Sequence, residues 1–215
     1  MLRVRVDDYP GTKPEEFWRH NIQNYALFHD QLSSRGIRYD LGVIPLHVQD
    51  SDLLWLAARP SIRVAIHGFA HDERFPNEFR PHQTHDEITS IILGVRKRFE
   101  QLLERPVESY IPPHNVIDIK TVRALLRAGI TELHTGPGTD PIVAEYASKM
   151  GLLVLPSFPP FYGRSDELIA CGHVPTIRMR RFVDDITVLG LHWTWEQNIG
   201  LSHLSNFLDL VYGET

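Results

Sequence analysis

The chain predicts an α/β fold: a distorted (β/α) barrel of about seven strands, in a single domain spanning residues 1–215. Three observations predict it. Short apolar runs alternate with amphipathic helical stretches, the pattern of repeated β-then-α units with a mostly parallel sheet and helices outside. No internal repeat, low-complexity run or linker divides the chain. Finally, His or paired Asp residues recur at the ends of the expected strands, where a β/α barrel carries its chemistry.

The elements follow in order. Leu2-Arg3-Val4-Arg5-Val6 alternates with period two and reads as the first strand, with Asp7 and Asp8 just past its end. Residues 13–35 read as a helix, with Phe17, Ile22, Tyr25, Phe28 and Leu32 near helical spacing and Gly36 as the stop. A strand is expected at residues 39–46, a short helix at 51–58 and a strand at 63–67. A long amphipathic helix fills residues 83–104, opened by Thr84 with Glu87 three positions on. Residues 107–111 read as a strand, and 117–128 as a helix closed by Gly129. Further strands fall at 131–134, 152–155 and 186–191, and residues 201–211 form a closing helix.

Composition excludes several classes. With 42% hydrophobic and 23% charged residues, the chain is an ordinary globular protein with a sizeable core. A net charge of −5 leaves no basic footprint for nucleic acid or an anionic membrane. Cys171 is the only cysteine, so no intrachain disulfide can form, and it reads as a small buried hydrophobe. No stretch approaches the ~20 apolar residues of a membrane span. Asp7 follows Met1 too closely for a cleavable leader, so a cytoplasmic protein is expected.

The chemistry concentrates in Asp7-Asp8 and in His67-Gly68-Phe69-Ala70-His71. Two carboxylates and two imidazoles can hold one divalent cation, Zn²⁺ being the first choice, and still leave a free base beside it. With 12 histidines in the chain, the His-x-x-x-His spacing alone discriminates little; placement at strand ends carries the weight. Pro112-Pro113-His114-Asn115, His134 and His192-Trp193-Thr194-Trp195 fall at further strand ends. Each has a plainer reading. Asp7-Asp8 could satisfy turn N–H groups. His192 could be a core histidine, and His114 and His134 could line a pocket wall. Trp193, Trp195 and Phe161 could stack on a sugar or simply pack. Residues 156–163 form a rigid aromatic loop that could cover a pocket or seal a barrel end. His20, His29, His82, His85 and His203 read as polar surface.

These motifs, in this order, resemble the polysaccharide deacetylases with NodB homology, the family 4 carbohydrate esterases, and in particular a branch associated with O-antigen and lipopolysaccharide gene clusters. The resemblance runs from Asp7 to about His192. It implies that Asp7 is the general base and that Asp8, His67 and His71 are metal ligands. It matches Tyr110-Ile111-Pro112-Pro113 in part to an aromatic-Arg-Pro-Pro turn. It makes His192, ending Leu189-Gly190-Leu191-His192, the general acid, expected on the wall opposite Asp7. Glu78-Phe79 is a feature of one divergent branch. Tyr110, Pro113, His114, Asn115, His134 and Trp193 are the expected substrate contacts. The implied reaction is metal-dependent removal of an N-acetyl group from a sugar, the partner being an N-acetylated or lipid- or nucleotide-linked glycan. Two features depart from the pattern. Ile111 stands where the family has the arginine that tunes the base, and the motif whose Asp supports the catalytic His has no clear match. Asp184-Asp185 precede the last strand and read as a solvated turn. The departures keep two alternatives open: a non-catalytic relic of the fold, or a hydrolase acting on a non-sugar or formyl amide.

Overall fold

In the computed structural model, which describes residues 1–12, 22–72, 74, 77–79 and 82–213, strands and helices alternate along the chain. The strands are β1 (Leu2–Tyr9), β2 (Tyr39–Val43), β3 (Ile62–His67), β4 (Ser109–Ile111), β5 (Glu132–Thr135), β6 (Leu153–Pro156) and β7 (Thr187–His192). They form one parallel sheet in the order β6-β5-β4-β3-β2-β1-β7. The helices are α1 (Ile22–Ser33), α2 (Asp50–Ala57), α3 (His85–Leu103), α4 (Ile119–Arg127), α5 (Pro141–Lys149), α6 (Ser165–Ala170), α7 (Val174–Met179), α8 (Trp193–Ile199) and α9 (Leu201–Tyr212). No helix among the described residues is long and apolar enough to cross a membrane.

The sheet curls into a nearly closed barrel. Among the described residues no ladder joins β6 to β7, the two edges of the sheet. The loop after β6 fills the gap: Tyr162 bridges Gly190 in parallel, and the Gly190 N–H donates to the Phe161 carbonyl at 2.7 Å. Alternation along β1 sorts its side chains. Val4 and Val6 are fully buried in the apolar core, while Arg3, Arg5 and Asp7 point into the barrel. Arg3 reaches Glu132 on β5 and Arg5 reaches the Thr135 carbonyl at the end of β5. Because β1 and β5 are not neighbours in the sheet, these bonds cross the interior. A polar column therefore runs through the barrel interior. The apolar core lies outside it, where Tyr25 and Phe28 of α1 pack edge-on against Trp193.

Several expectations move. β1 runs through Asp7 and Asp8 instead of ending before them, because Asp7 still pairs in register with His192. Asp8 then takes a left-handed φ of 72°, and the β1–β2 register shifts between Val6 and Tyr9. The helix expected over residues 13–35 is described only as α1, and Phe17 lies outside the described residues, as does His20. The Thr84–Glu87 capping box opens α3 as expected. Helices α5 to α8 lie in stretches where none was expected. For α5 the signal was present in Asp140, which accepts from the Ile142 N–H, followed by Pro141 at the first helical position. Cys171 is exposed, not buried, because it caps the C-terminus of the short α6 at the surface. His29 is buried, not on the surface, with its Nδ1 3.0 Å from the Tyr39 hydroxyl.

Candidate active site

The C-terminal ends of β1, β3 and β7 converge with the turn after β4 on a cavity of about 550 Å³. Asp8 Oδ1 lies 2.9 Å from His67 Nε2 and 3.3 Å from His71 Nε2. Ligand atoms of the three residues all fall within 4.8 Å of one another. An ion holding two ligands at ~2.1 Å in tetrahedral geometry separates them by ~3.4 Å, so the set fits one divalent cation. The histidines are prepared for that role. His67 Nδ1 sits 2.9 Å from the Ile111 carbonyl and donates to it, so Nε2, the nitrogen turned to Asp8, is the one placed to ligate. The turn that carries His71 is pinned by Glu78, which accepts from the N–H groups of Ala70 at 2.5 Å and His71 at 3.0 Å. Gly68 permits this packing. Its φ is +63°, and a Cβ there would lie 2.4 Å from Pro113 and 2.7 Å from Glu78. Among the described residues His71 Nδ1 is buried with no hydrogen-bond partner.

Asp7 finds its partner one pleat back on its own strand. Arg5 Nε donates to Oδ1 at 2.8 Å and Nη2 to Oδ2 at 2.5 Å, a two-pronged pair that is fully buried on the arginine side. The remaining guanidinium bonds go to the Thr135 carbonyl at 3.2 Å and to Asn115 Oδ1 at 2.7 Å. Ile111 therefore does not leave the aspartate unpartnered; its side chain packs inside the barrel near Gly42. Spacing i, i+2 on one face of a strand was the sequence signal for Arg5, and it was missed.

His192 faces the site instead of the core. Its Nε2 lies 3.8 Å from both Asp7 Oδ2 and Asp8 Oδ2, and 3.1 Å from the Tyr162 hydroxyl. It does not stand on the opposite wall. β7 adjoins β1, and His192 is the register partner of Asp7. Trp195 stacks flat on its ring, with centroids 3.7 Å apart and planes 16° apart.

The expected substrate contacts divide. His114 and Asn115 line the cavity, and the His114 ring sits 4.5 Å from that of His71. Tyr110, Pro113, His134 and Trp193 do not line it. Tyr110 is one residue out of phase: Ser109 and Ile111 face inward, so Tyr110 is buried in the outer core. Pro113 is buried against Gly68, and its neighbour Pro112 takes the lining position. His134 is fully buried below the site, with Nε2 3.4 Å from Asp40. Trp193 turns into the core and donates to the Pro10 carbonyl; the pocket aromatic is Trp195. Tyr162, from the aromatic loop, also lines the cavity and was not singled out from sequence.

Burial and charge set the protonation states. Burial pushes the Asp7 carboxyl up, and Arg5 more than offsets it, so Asp7 lies below the usual carboxylate range. For Asp8, burial is outweighed by His192, His67 and His71, which hold it well below that range. Burial pulls His192 down against the opposing pull of Asp8 and Asp7, so a neutral ring is favoured. His71 is raised: burial lowers it, but hydrogen bonding to Asp8 outweighs that. Backbone strain gathers here too. Of six non-glycine residues with positive φ among the described residues, Asp8, His71, His114 and Asn115 line the cavity and Glu78 pins its turn. Such conformations cost about 1–3 kcal/mol each and persist only where surroundings enforce them.

No protein-family model matches the chain, and neither does any curated protein. Solved structures do. A protein from Mycobacterium smegmatis described as a polysaccharide deacetylase superposes with a TM-score of 0.67 at 16% identity, over 98% of this chain and 82% of that one. A family 4 carbohydrate esterase from Streptomyces lividans, in complex with acetate, gives 0.56 at 11%, over 96% and 86%. A family 4 pseudoenzyme from Bacillus anthracis gives 0.52 at 12%, over 99% and 62%. At these identities what is shared is architecture, and the chain has the barrel fold of the polysaccharide deacetylases and family 4 carbohydrate esterases.

Proposed function

We propose that the chain is a metal-dependent hydrolase that removes an N-acetyl group from a sugar, acting on a nucleotide- or lipid-linked glycan precursor of surface polysaccharide such as O-antigen. One observation carries the reading: Asp8, His67 and His71 converge as a ligand set in the cavity where Asp7 and His192 meet. Asp8, His67 and His71 would hold the cation, which when bound supplies Lewis-acid polarisation of the acyl group and of the attacking water. Asp7 stays ionised throughout the neutral range because of Arg5, and its carboxylate keeps lone pairs beyond the two that Arg5 occupies. It is positioned to take the water's proton. His192 lies 3.8 Å from Asp7, so base and acid sit side by side and a proton need cross only one gap between them. His192 would deliver it to the departing nitrogen; an amine leaves well only when protonated. Water adds to the acyl carbon, the C–N bond breaks, and acetate and the free amino sugar result. Trp195 and His114 offer a ring face and a polar group at the rim for the sugar.

A relic without turnover is the second reading, favoured by Ile111 at the arginine position and by the likeness to a pseudoenzyme. The assay that separates them measures acetate released by zinc-loaded protein from N-acetylated nucleotide-sugars and lipid-linked sugars. Release that is abolished by a chelator and restored by metal is expected. A metal-loaded protein inert on every acylated sugar offered would overturn the sugar deacetylase reading, and inertness on formyl and non-sugar amides as well would favour the relic.

A further inference from the structure

We propose that Tyr162 is the positioning residue for His192, filling the role that the unmatched supporting motif leaves open. This rests on the reading of His192 as the acid. The Tyr162 hydroxyl is 3.1 Å from His192 Nε2 and 3.0 Å from Asn115 Nδ2. The direction of this chain of bonds is fixed at its far end. Arg5 can only donate, so Asn115 must turn its carbonyl oxygen to Arg5 Nη2 at 2.7 Å. Its amide N–H groups then point at Tyr162, whose oxygen accepts. The Tyr162 proton is left for His192, whose Nε2 is the acceptor. Among the described residues the imidazole's other nitrogen, Nδ1, is buried with no hydrogen-bond partner, so none of them competes with Tyr162 to orient the ring. One guanidinium thus anchors both the base, directly, and the acid, through Asn115 and Tyr162.

The fold is cut to admit this tyrosine. Tyr162 bridges Gly190 as the short piece that closes the barrel. A Cβ on Gly190 would lie 2.6 Å from the Tyr162 ring, so a residue lacking a side chain is required two positions before His192. Asn115 is held in turn. Its φ is 58°, Thr139 Oγ1 donates to its carbonyl at 2.6 Å, and a Cβ on Gly136 would strike its amide at 2.4 Å.

Tyr162→Phe keeps the ring that plugs the barrel and removes only the hydroxyl. The test compares ¹⁵N imidazole spectra of zinc-supplemented wild type and Tyr162→Phe, with His192 identified by the signals lost in His192→Gln. The wild type should show an unprotonated, hydrogen-bonded Nε2 and a protonated Nδ1 on His192. The Phe variant should shift the Nε2 signal and leave the His67 and His71 signals in place. In the deacetylase assay kcat should fall ~10- to 10²-fold with KM and bound metal unchanged. Gly190→Ala should reproduce the His192 shift by displacing the ring. Identical His192 spectra in wild type and Tyr162→Phe would overturn the proposal. Because the spectra need no substrate, an inactive wild type would count against the deacetylase reading alone, and the Tyr162 link would still be decided.

Discussion

The two ends of the barrel interior use the same residue types to opposite ends. At the N-terminal end, Asp40 accepts from Arg3 at 2.5 Å and from Arg63 at 2.7 Å. Glu132 accepts from the same two arginines at 2.7 and 2.6 Å, and from Ser109 at 2.5 Å. Each carboxylate faces two guanidiniums. At the C-terminal end, Asp8 faces imidazoles instead, and among the described residues His71 and His192 each leave a buried Nδ1 without a hydrogen-bond partner. Five of the six non-glycine positive-φ residues among those described lie there; the sixth, Glu104, caps α3. The lower end is arranged for stability. The upper end gathers strained backbone around ionisable side chains that face a cavity, as expected of a functional site.

The largest expected effect lies at the upper end. Asp7→Asn should keep bound metal and lose ~10³-fold or more of turnover, because an amide cannot accept the water's proton. Asp8→Ala and His71→Ala should lose the metal as well. Metal analysis beside the acetate assay checks this; release of metal by Asp7→Asn and its retention by Asp8→Ala would reverse the two aspartates. The lower end should behave otherwise. Asp40→Ala strips a nearly buried carboxylate from two arginines and should cost about 3–4 kcal/mol in urea unfolding. Metal binding by the folded protein should persist. If Asp8→Ala, measured without metal, destabilised the chain as much, the division between the two ends would fail.

A third carboxylate sharpens the contrast. Glu196 of α8 is buried behind the site and accepts from the Ser165 N–H and hydroxyl, with Arg164 acting on it only weakly. Burial, against those hydrogen bonds, pushes it up to about 7 from an ordinary 4.5. The folded value exceeds the unfolded one. Its contribution is therefore full below pH 4.5 and is lost as pH rises through about 7, amounting to about 3 kcal/mol across that window. Glu196→Gln keeps an acceptor for the N–H and should flatten the fall of Tm between pH 5 and 8. A slope unchanged in the variant would assign it to another group. Smallest is Arg5→Lys, which keeps the charge beside Asp7 but loses the fork. About 30-fold in kcat with metal retained is expected, and no loss would return the base to an unassisted aspartate.

Much of this was legible from sequence, for reasons that also mark where it stopped. Alternation gave the strands, and strand ends gave Asp7, Asp8, His67, His71 and His192 to one rim, because parallel β-then-α units put every such end on the same face. Phase misled at Tyr110 and Trp193. One residue of shift on a strand reverses the face, and Trp193 opens a helix whose first turn points into the core. His134 sits at a strand end but points into the barrel below the rim, where its depth was invisible. Arg5 was legible in principle from its spacing to Asp7. Tyr162 was not, because its position depends on a loop closing the barrel against Gly190, a contact 28 residues distant that no local pattern encodes.

The central claim is that Asp8, His67 and His71 hold one divalent cation. It is tested most directly by anomalous diffraction at the zinc edge from crystals of zinc-supplemented protein. One peak per chain is predicted, within ~2.0–2.2 Å of an Asp8 oxygen and of Nε2 of both His67 and His71. A map with no peak among those three side chains, or with zinc bound only elsewhere, would contradict it.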